Sequence, residues 1–194
     1  MRRVADLFNF TLNDTNLEQM FYAYDACIVD SHLGRPWPVG FTKDDFKNLQ
    51  HLATWHYTTM WSGNNTIMSS SGKINKMLNL FDLRTKVPNN EGVKWSFLAG
   101  HEGDMLATQL ALNITSSTCI EEMYRKGQTS AWACELEGLD FASNIIIELH
   151  SDDAKNFYVK IRSNGNYMKL SQNSYQIPFL DFKTNMKKFV TNDL

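Results

Sequence analysis

The run Val93-Lys-Trp-Ser-Phe-Leu-Ala99 constrains the fold most. It leads into Gly100-His-Glu-Gly-Asp104, after which Met105, Leu106, Gln109, Leu110 and Leu112 follow at helical spacing. A short apolar run bounded by turn residues fits a buried strand. The whole segment then reads as a strand, a tight glycine-flanked turn and a helix. Such a strand belongs in the interior of a sheet, because an open one exposes both an unpaired edge and apolar faces. The expected fold class is therefore α/β.

The chain before this unit reads as helical. Leu17, Met20, Phe21, Tyr24, Cys27 and Ile28 recur at helical spacing, with Thr15 or Asn16 as the N-cap. Gly34-Arg-Pro-Trp-Pro-Val-Gly40 breaks that helix. A second helix is predicted from Thr42, with Asp44 and Asp45 in its positive first turn. Phe46, Leu49, Ala53, His56 and Met60 share its apolar face, and Asn64-Asn65 ends it. A third helix spans about Lys73 to Leu83, starting near Ser69-Ser-Ser-Gly72. Pro88-Asn-Asn-Glu-Gly92 is a turn cluster that closes this half.

The chain after it is β-like. Ile145, Ile147 and Leu149 alternate with other residues, as do Phe157, Val159 and Ile161. Asn164-Gly165 between the second run and Asn166 to Leu170 is a hairpin signal. Pro178 opens a last helix striped by Phe179, Phe182, Met186 and Phe189. Residues 1–92 thus form a mainly helical region, and 93–194 an α/β part with a hairpin and a C-terminal helix.

Composition narrows the function classes. Apolar residues make up 43% and aromatics 12%, enough for a sizeable core. A net charge of -2 argues against a nucleic-acid partner. No apolar run approaches the roughly 18 residues of a membrane span. Asp6, Asn9, Asn13 and Asp14 interrupt any signal-peptide core after Met1-Arg-Arg3. The cysteines, Cys27, Cys119 and Cys134, contain no CxxC pair and allow at most one bridge. Asn9, Asn13, Asn64 and Asn113 each begin an N-x-T sequon, a hint of secretory ancestry in an Asn-rich chain.

Chemistry concentrates at Gly100-His-Glu-Gly-Asp104. In open α/β sheets ligands bind at the carboxyl ends of strands. The following helix turns its free N–H groups to the same place, which favours an anion. His101 and Glu102 are the candidate catalytic pair, with Glu102 as proton donor. The backbones of Gly103 and Asp104 are the candidate phosphate cradle. A lone His-Glu pair also serves as a surface or capping pair, and Asp104 can cap the helix instead. His51 and His56 are five apart, a poor ligand spacing on a helix. His32 suits a helix C-terminus, and His150 ends a strand. HExxH, P-loop, GxGxxG and GxSxG motifs are absent. No metal site and no cofactor are expected.

These residues resemble the histidine acid phosphatases. Phe97-Leu-Ala-Gly-His-Glu-Gly-Asp-Met-Leu-Ala-Thr-Gln-Leu110 stands where that family has its late His-Asp motif and helix. Phe141-Ala-Ser-Asn-Ile-Ile-Ile-Glu-Leu149 and Asn156-Phe-Tyr-Val-Lys-Ile-Arg-Ser-Asn-Gly165 resemble the two strands that follow it. Tyr24-Asp-Ala-Cys-Ile-Val29, Pro38 and Thr42-Lys-Asp-Asp45 resemble the helical insert, and Ile177-Pro-Phe-Leu-Asp-Phe182 the final helix without its cysteine. The blocks keep the family's order across nearly the whole chain.

The resemblance implies the C-terminal portion of a histidine-phosphatase-like fold: a helical insert plus part of a mixed sheet with flanking helices. It also implies metal-free phosphomonoester hydrolysis through a phosphohistidine. The nucleophile would come from an Arg-His-Gly-x-Arg-x-Pro segment, and this sequence contains no Arg-His-Gly. His101 would contact the phosphate. Glu102, in place of the usual Asp, would protonate the leaving oxygen. A protein partner is then expected to cover the open sheet edge, either the N-terminal half of the same fold or a larger assembly. The alternative is a catalytically inactive relative serving as a structural or interaction subunit of a larger assembly. The family's setting is secretory or lysosomal.

Overall fold

The computed structural model describes residues 2–8, 17–87, 91–129, 131, 133–134 and 142–191. Over these the fold is mixed α/β, with seven helices and a four-stranded antiparallel sheet. The N-cap expected at Thr15 or Asn16 lies outside the described residues.

Helices α1 (Arg2–Leu7), α2 (Leu17–His32) and α3 (Lys43–Met60) enclose one apolar cluster. Met20, Tyr24, Cys27, Phe41, Leu49 and Ala53 are buried in it. Thr42 caps α3 as predicted. Its hydroxyl accepts from the Asp45 amide at 3.2 Å, and the Asp45 carboxylate accepts from the Thr42 amide at 2.8 Å. Between α2 and α3, Trp37 stacks on Phe46 and meets Phe41 edge-on. The break at Gly34–Gly40 therefore folds back onto the helices it joins.

Helix α4 (Asn64–Arg84) starts before the Ser69–Gly72 stretch where the sequence places its beginning. Asn64 and Asn65, expected to end the preceding helix, open this one, and its first turns carry Thr66, Ser70 and Ser71. The hydroxyls of Thr66 and Ser70 donate to carbonyls of the chain before them, at 2.6 and 2.5 Å. Thus satisfied, these small side chains bury on a helix face. Helix α5 (Glu102–Ala111) packs against α4.

Helix α6 (Ser117–Lys126) lies against α3 and has no counterpart in the sequence reading. Ser116 caps it by accepting from the Cys119 amide at 3.1 Å, and Gly127 ends it in the left-handed region at φ 68°. A disulfide joins Cys119 to Cys134, while Cys27 is a free, buried thiol. One bridge among three cysteines agrees with the sequence reading.

The sheet comprises β1 (Ile145–Ser151), β2 (Phe157–Ser163), β3 (Asn166–Tyr167) and β4 (Ile177–Pro178). β1 pairs with β2 along its whole length, Ile147 facing Ile161. β3 and β4 both pair with β2. Asn164 and Gly165 take φ of 48° and 86°, so both central residues of the predicted turn are left-handed. Helix α7 (Phe179–Lys187) buries Phe179, Phe182 and Met186, as the stripe after Pro178 predicts. Val159 and Ile161 join these residues and Ile74 and Leu78 of α4 in a second core. Lys183 clamps α7 to α4 through Asp82, with an Nζ–Oδ1 distance of 2.7 Å.

One expectation fails. Val93–Ala99 is not a buried strand. It is irregular, and residues 91–100 are all exposed. Among the described residues, none of the backbone hydrogen bonds outside helices and sheet involves residues 92–100. The sheet is therefore antiparallel rather than mixed. A buried strand needs neighbours with free N–H and C=O groups, and no described segment of this chain pairs with residues 93–99. The outer edge of β1 likewise has no partner among the described residues.

Candidate functional site

His101 occupies the N-cap position of α5, with extended backbone at φ -77° and ψ 168°. It is exposed, as is Glu102, the first residue of the helix. The predicted pair therefore stands where the Val93–Ala99 segment meets α5. The amides of Glu102, Gly103 and Asp104 open the helix and have no partner within it.

Asp104 holds the turn together. Its Oδ2 accepts from the His101 amide at 3.1 Å. Its Oδ1 accepts from Lys73 Nζ at 2.8 Å and Ser69 Oγ at 3.0 Å, both on α4. The Lys73 hydrogen bond, followed by those from His101 and Ser69, keeps its carboxyl below the ordinary carboxylate value. Asp104 thus caps the helix, and Lys73 offsets the negative charge it brings. Ser69 and Lys73 lie one helical turn apart, at the stretch where the sequence places the start of this helix.

Gly103 is buried under Trp61, the residue that ends α3. A β-carbon there would lie 2.3 Å from Trp61 Cζ2, so only glycine admits this contact. Gly100 is similarly close to Asp104, at 3.0 Å between a built β-carbon and Asp104 Cβ. Both glycines of the turn serve close approach, and neither has a positive φ. Gly103 and Asp104 of the predicted phosphate cradle thus also hold α5 to α3 and α4.

Glu102 has a raised pKa. Although the residue as a whole is exposed, desolvation of its carboxyl by nearby protein atoms is the main cause, and the charge of Asp25 on α2 adds to it. Glu102 in turn raises the Tyr57 hydroxyl on α3, though burial does more there. The Glu102 carboxyl is thus within electrostatic reach of groups on α2 and α3. A carboxyl that keeps its proton to higher pH can serve as a general acid. Asp25 and Tyr57 carry no motif, and only the tertiary fold brings them to Glu102.

The remaining histidines have other settings. His51 is partly buried, its pKa lowered by desolvation and by Lys47, and its ring lies 5.4 Å from that of Tyr124. His32 sits in the last turn of α2. His150 lies near the end of β1, stacked on Tyr158, with Nε2 2.8 Å from Glu148 Oε2. Burial raises Glu148, yet hydrogen bonds from His150, Arg162 and Tyr167 outweigh it and hold the carboxyl below its ordinary value. Burial also pushes the Cys27 thiol up to about 11, which keeps it protonated and unreactive.

Among the described residues no cluster of three or more His, Cys, Asp or Glu could hold a metal ion. No described helix is long and apolar enough to cross a membrane. No family model matches the chain, and no curated protein matches its sequence.

Proposed function

We propose that this chain is the rear part of a histidine acid phosphatase-like enzyme. It would hydrolyse phosphomonoesters together with a protein segment that carries the nucleophilic histidine. One observation carries the proposal: His101 and Glu102 open a helix at the end of an apolar segment whose backbone has no partner among the described residues. His101 contacts the phosphate, and the helix N-terminus favours that anion. Glu102, with its raised pKa, protonates the leaving oxygen. The complementary segment supplies the attacking histidine and the arginines that bind the phosphate oxygens. It would also pair with residues 93–99.

A second reading is a catalytically inactive structural subunit of a larger assembly. The positioned acid Asp104 favours it, because its carboxylate already occupies part of the helix start. A phosphomonoesterase assay at acid pH, on the chain alone and with its native partners, separates the two. The enzyme reading predicts turnover only in the complemented preparation and its loss in His101→Ala. No turnover in any preparation, with His101→Ala still assembling, selects the structural reading. The raised carboxyl of Glu102 must be protonated to act. Turnover should therefore decline as pH rises through that carboxyl's range, and Glu102→Gln should remove that limb of the profile.

A further inference from the structure

Asn113-Ile-Thr115 follows α5 directly. Within residues 111–115 only Asn113 is exposed, while Ala111, Leu112, Ile114 and Thr115 are all buried. Its φ of 57° lies in the left-handed region, which asparagine tolerates better than most residues. The backbone is fixed on both sides. The Asn113 amide donates to Leu110 O at 3.1 Å, and the Ile114 amide donates to Gln109 O at 3.1 Å. The turn thus sends its neighbours into the core and the Asn113 side chain outward. No hydrogen bond to a described residue ties up its carboxamide. A helix of ten residues is about 15 Å long, so Asn113 lies at the end of α5 away from His101.

A second observation concerns the compartment. Shortly beyond Asn113, α6 carries Cys119, joined to Cys134 by a disulfide. Disulfides persist in oxidising compartments, including the lumen in which asparagine-linked glycans are added. Cys27 is buried and protonated, so it does not compete for this pairing.

We propose that Asn113 is an N-glycosylation site. Its Nδ2 attacks the anomeric carbon of an oligosaccharide carried on a polyprenyl diphosphate. A carbon–nitrogen bond forms and the bond from that carbon to the diphosphate oxygen breaks. The lipid diphosphate leaves with the electron pair, and Nδ2 gives its proton to a base of the transferase. The glycan projects from the surface and leaves the His101 end of α5 free.

The test is peptide mapping of the full chain immunopurified from its own cells. One aliquot is digested without reduction to map the Cys119–Cys134 bridge. Another is treated with peptide N-glycosidase in heavy-oxygen water, which converts a glycosylated asparagine to labelled aspartate. The expected result is a formed bridge, label at Asn113, and a band one glycan smaller for Asn113→Gln. Bridge formation with Asn113 unlabelled overturns the proposal, because the chain has then passed through the right compartment unmodified. Reduced Cys119 and Cys134 with Asn113 unlabelled also overturns it.

Discussion

Two seven-residue apolar segments of this chain meet opposite fates. Phe157–Ser163 alternates inward and outward, pairs on both edges and buries Val159 and Ile161 completely. Val93–Ala99 also places apolar residues at alternate positions, Val93, Trp95, Phe97 and Ala99, yet its backbone pairs with nothing described. Trp95 and Phe97 are 71% and 87% exposed, their rings stacked on each other at 6.3 Å between centroids. Composition is similar; the difference lies in the partners. The first segment is followed within a few residues by a left-handed turn and is preceded by a matching strand. The second is followed by a helix capped by its own Asp104. A strand gains stability from its neighbours more than from its own residues.

Substitutions sharpen this contrast. Ile161→Ala opens a cavity in the second core and should cost about 2–5 kcal/mol in urea unfolding of the isolated chain. Reducing the Cys119–Cys134 bridge, which closes a separation of 15 residues, should cost about 3 kcal/mol in the same measurement. Gly103→Ala drives a methyl into Trp61 and should cost about 1–3 kcal/mol, with a change in tryptophan fluorescence. Asp104→Asn weakens a partly exposed ion pair and should cost less than about 1 kcal/mol. Its folded carboxyl lies below the unfolded value, so its contribution is full above the unfolded value. That contribution is lost as pH falls through the folded one, and Asp104→Asn should flatten that part of the stability profile. Phe97→Ala should change the stability of the isolated chain by no more than about 0.5 kcal/mol, because the ring stacks only on the likewise exposed Trp95 and stays largely in water. A loss comparable to that of Ile161→Ala would erase the distinction between the two segments.

Much of the fold was legible because its signals are local. Asn164-Gly165 dictates its own turn, Thr42 and Asp45 cap α3 within four residues, and Pro178 starts α7. The start of α4 was not legible. Ser70 and Thr66 look like loop residues until their hydroxyls are seen bonded to preceding carbonyls. α6 was missed although Ser116 and Gly127 bracket it. The fate of Val93–Ala99 was illegible for a different reason: its pattern specifies a strand, but pattern alone does not say whether the chain contains the neighbour.

The same limit applies to the site. His101 and Glu102 stood out as polar residues between a strand-like run and a helix. The groups that act on them come from elsewhere in the chain. Lys73 anchors Asp104 from 31 residues away, and the charge of Asp25, on another helix, reaches Glu102 through space. The raised carboxyl is thus a product of helix packing.

Hydrogen exchange at the amides of residues 93–99 tests the central claim most directly, measured in the isolated chain and in its native assembly. Exchange at unprotected rates in the isolated chain, with protection gained in the assembly, is the predicted result. Protection in the isolated chain equal to that of residues 157–163 would contradict it, since the segment would then already have its partner.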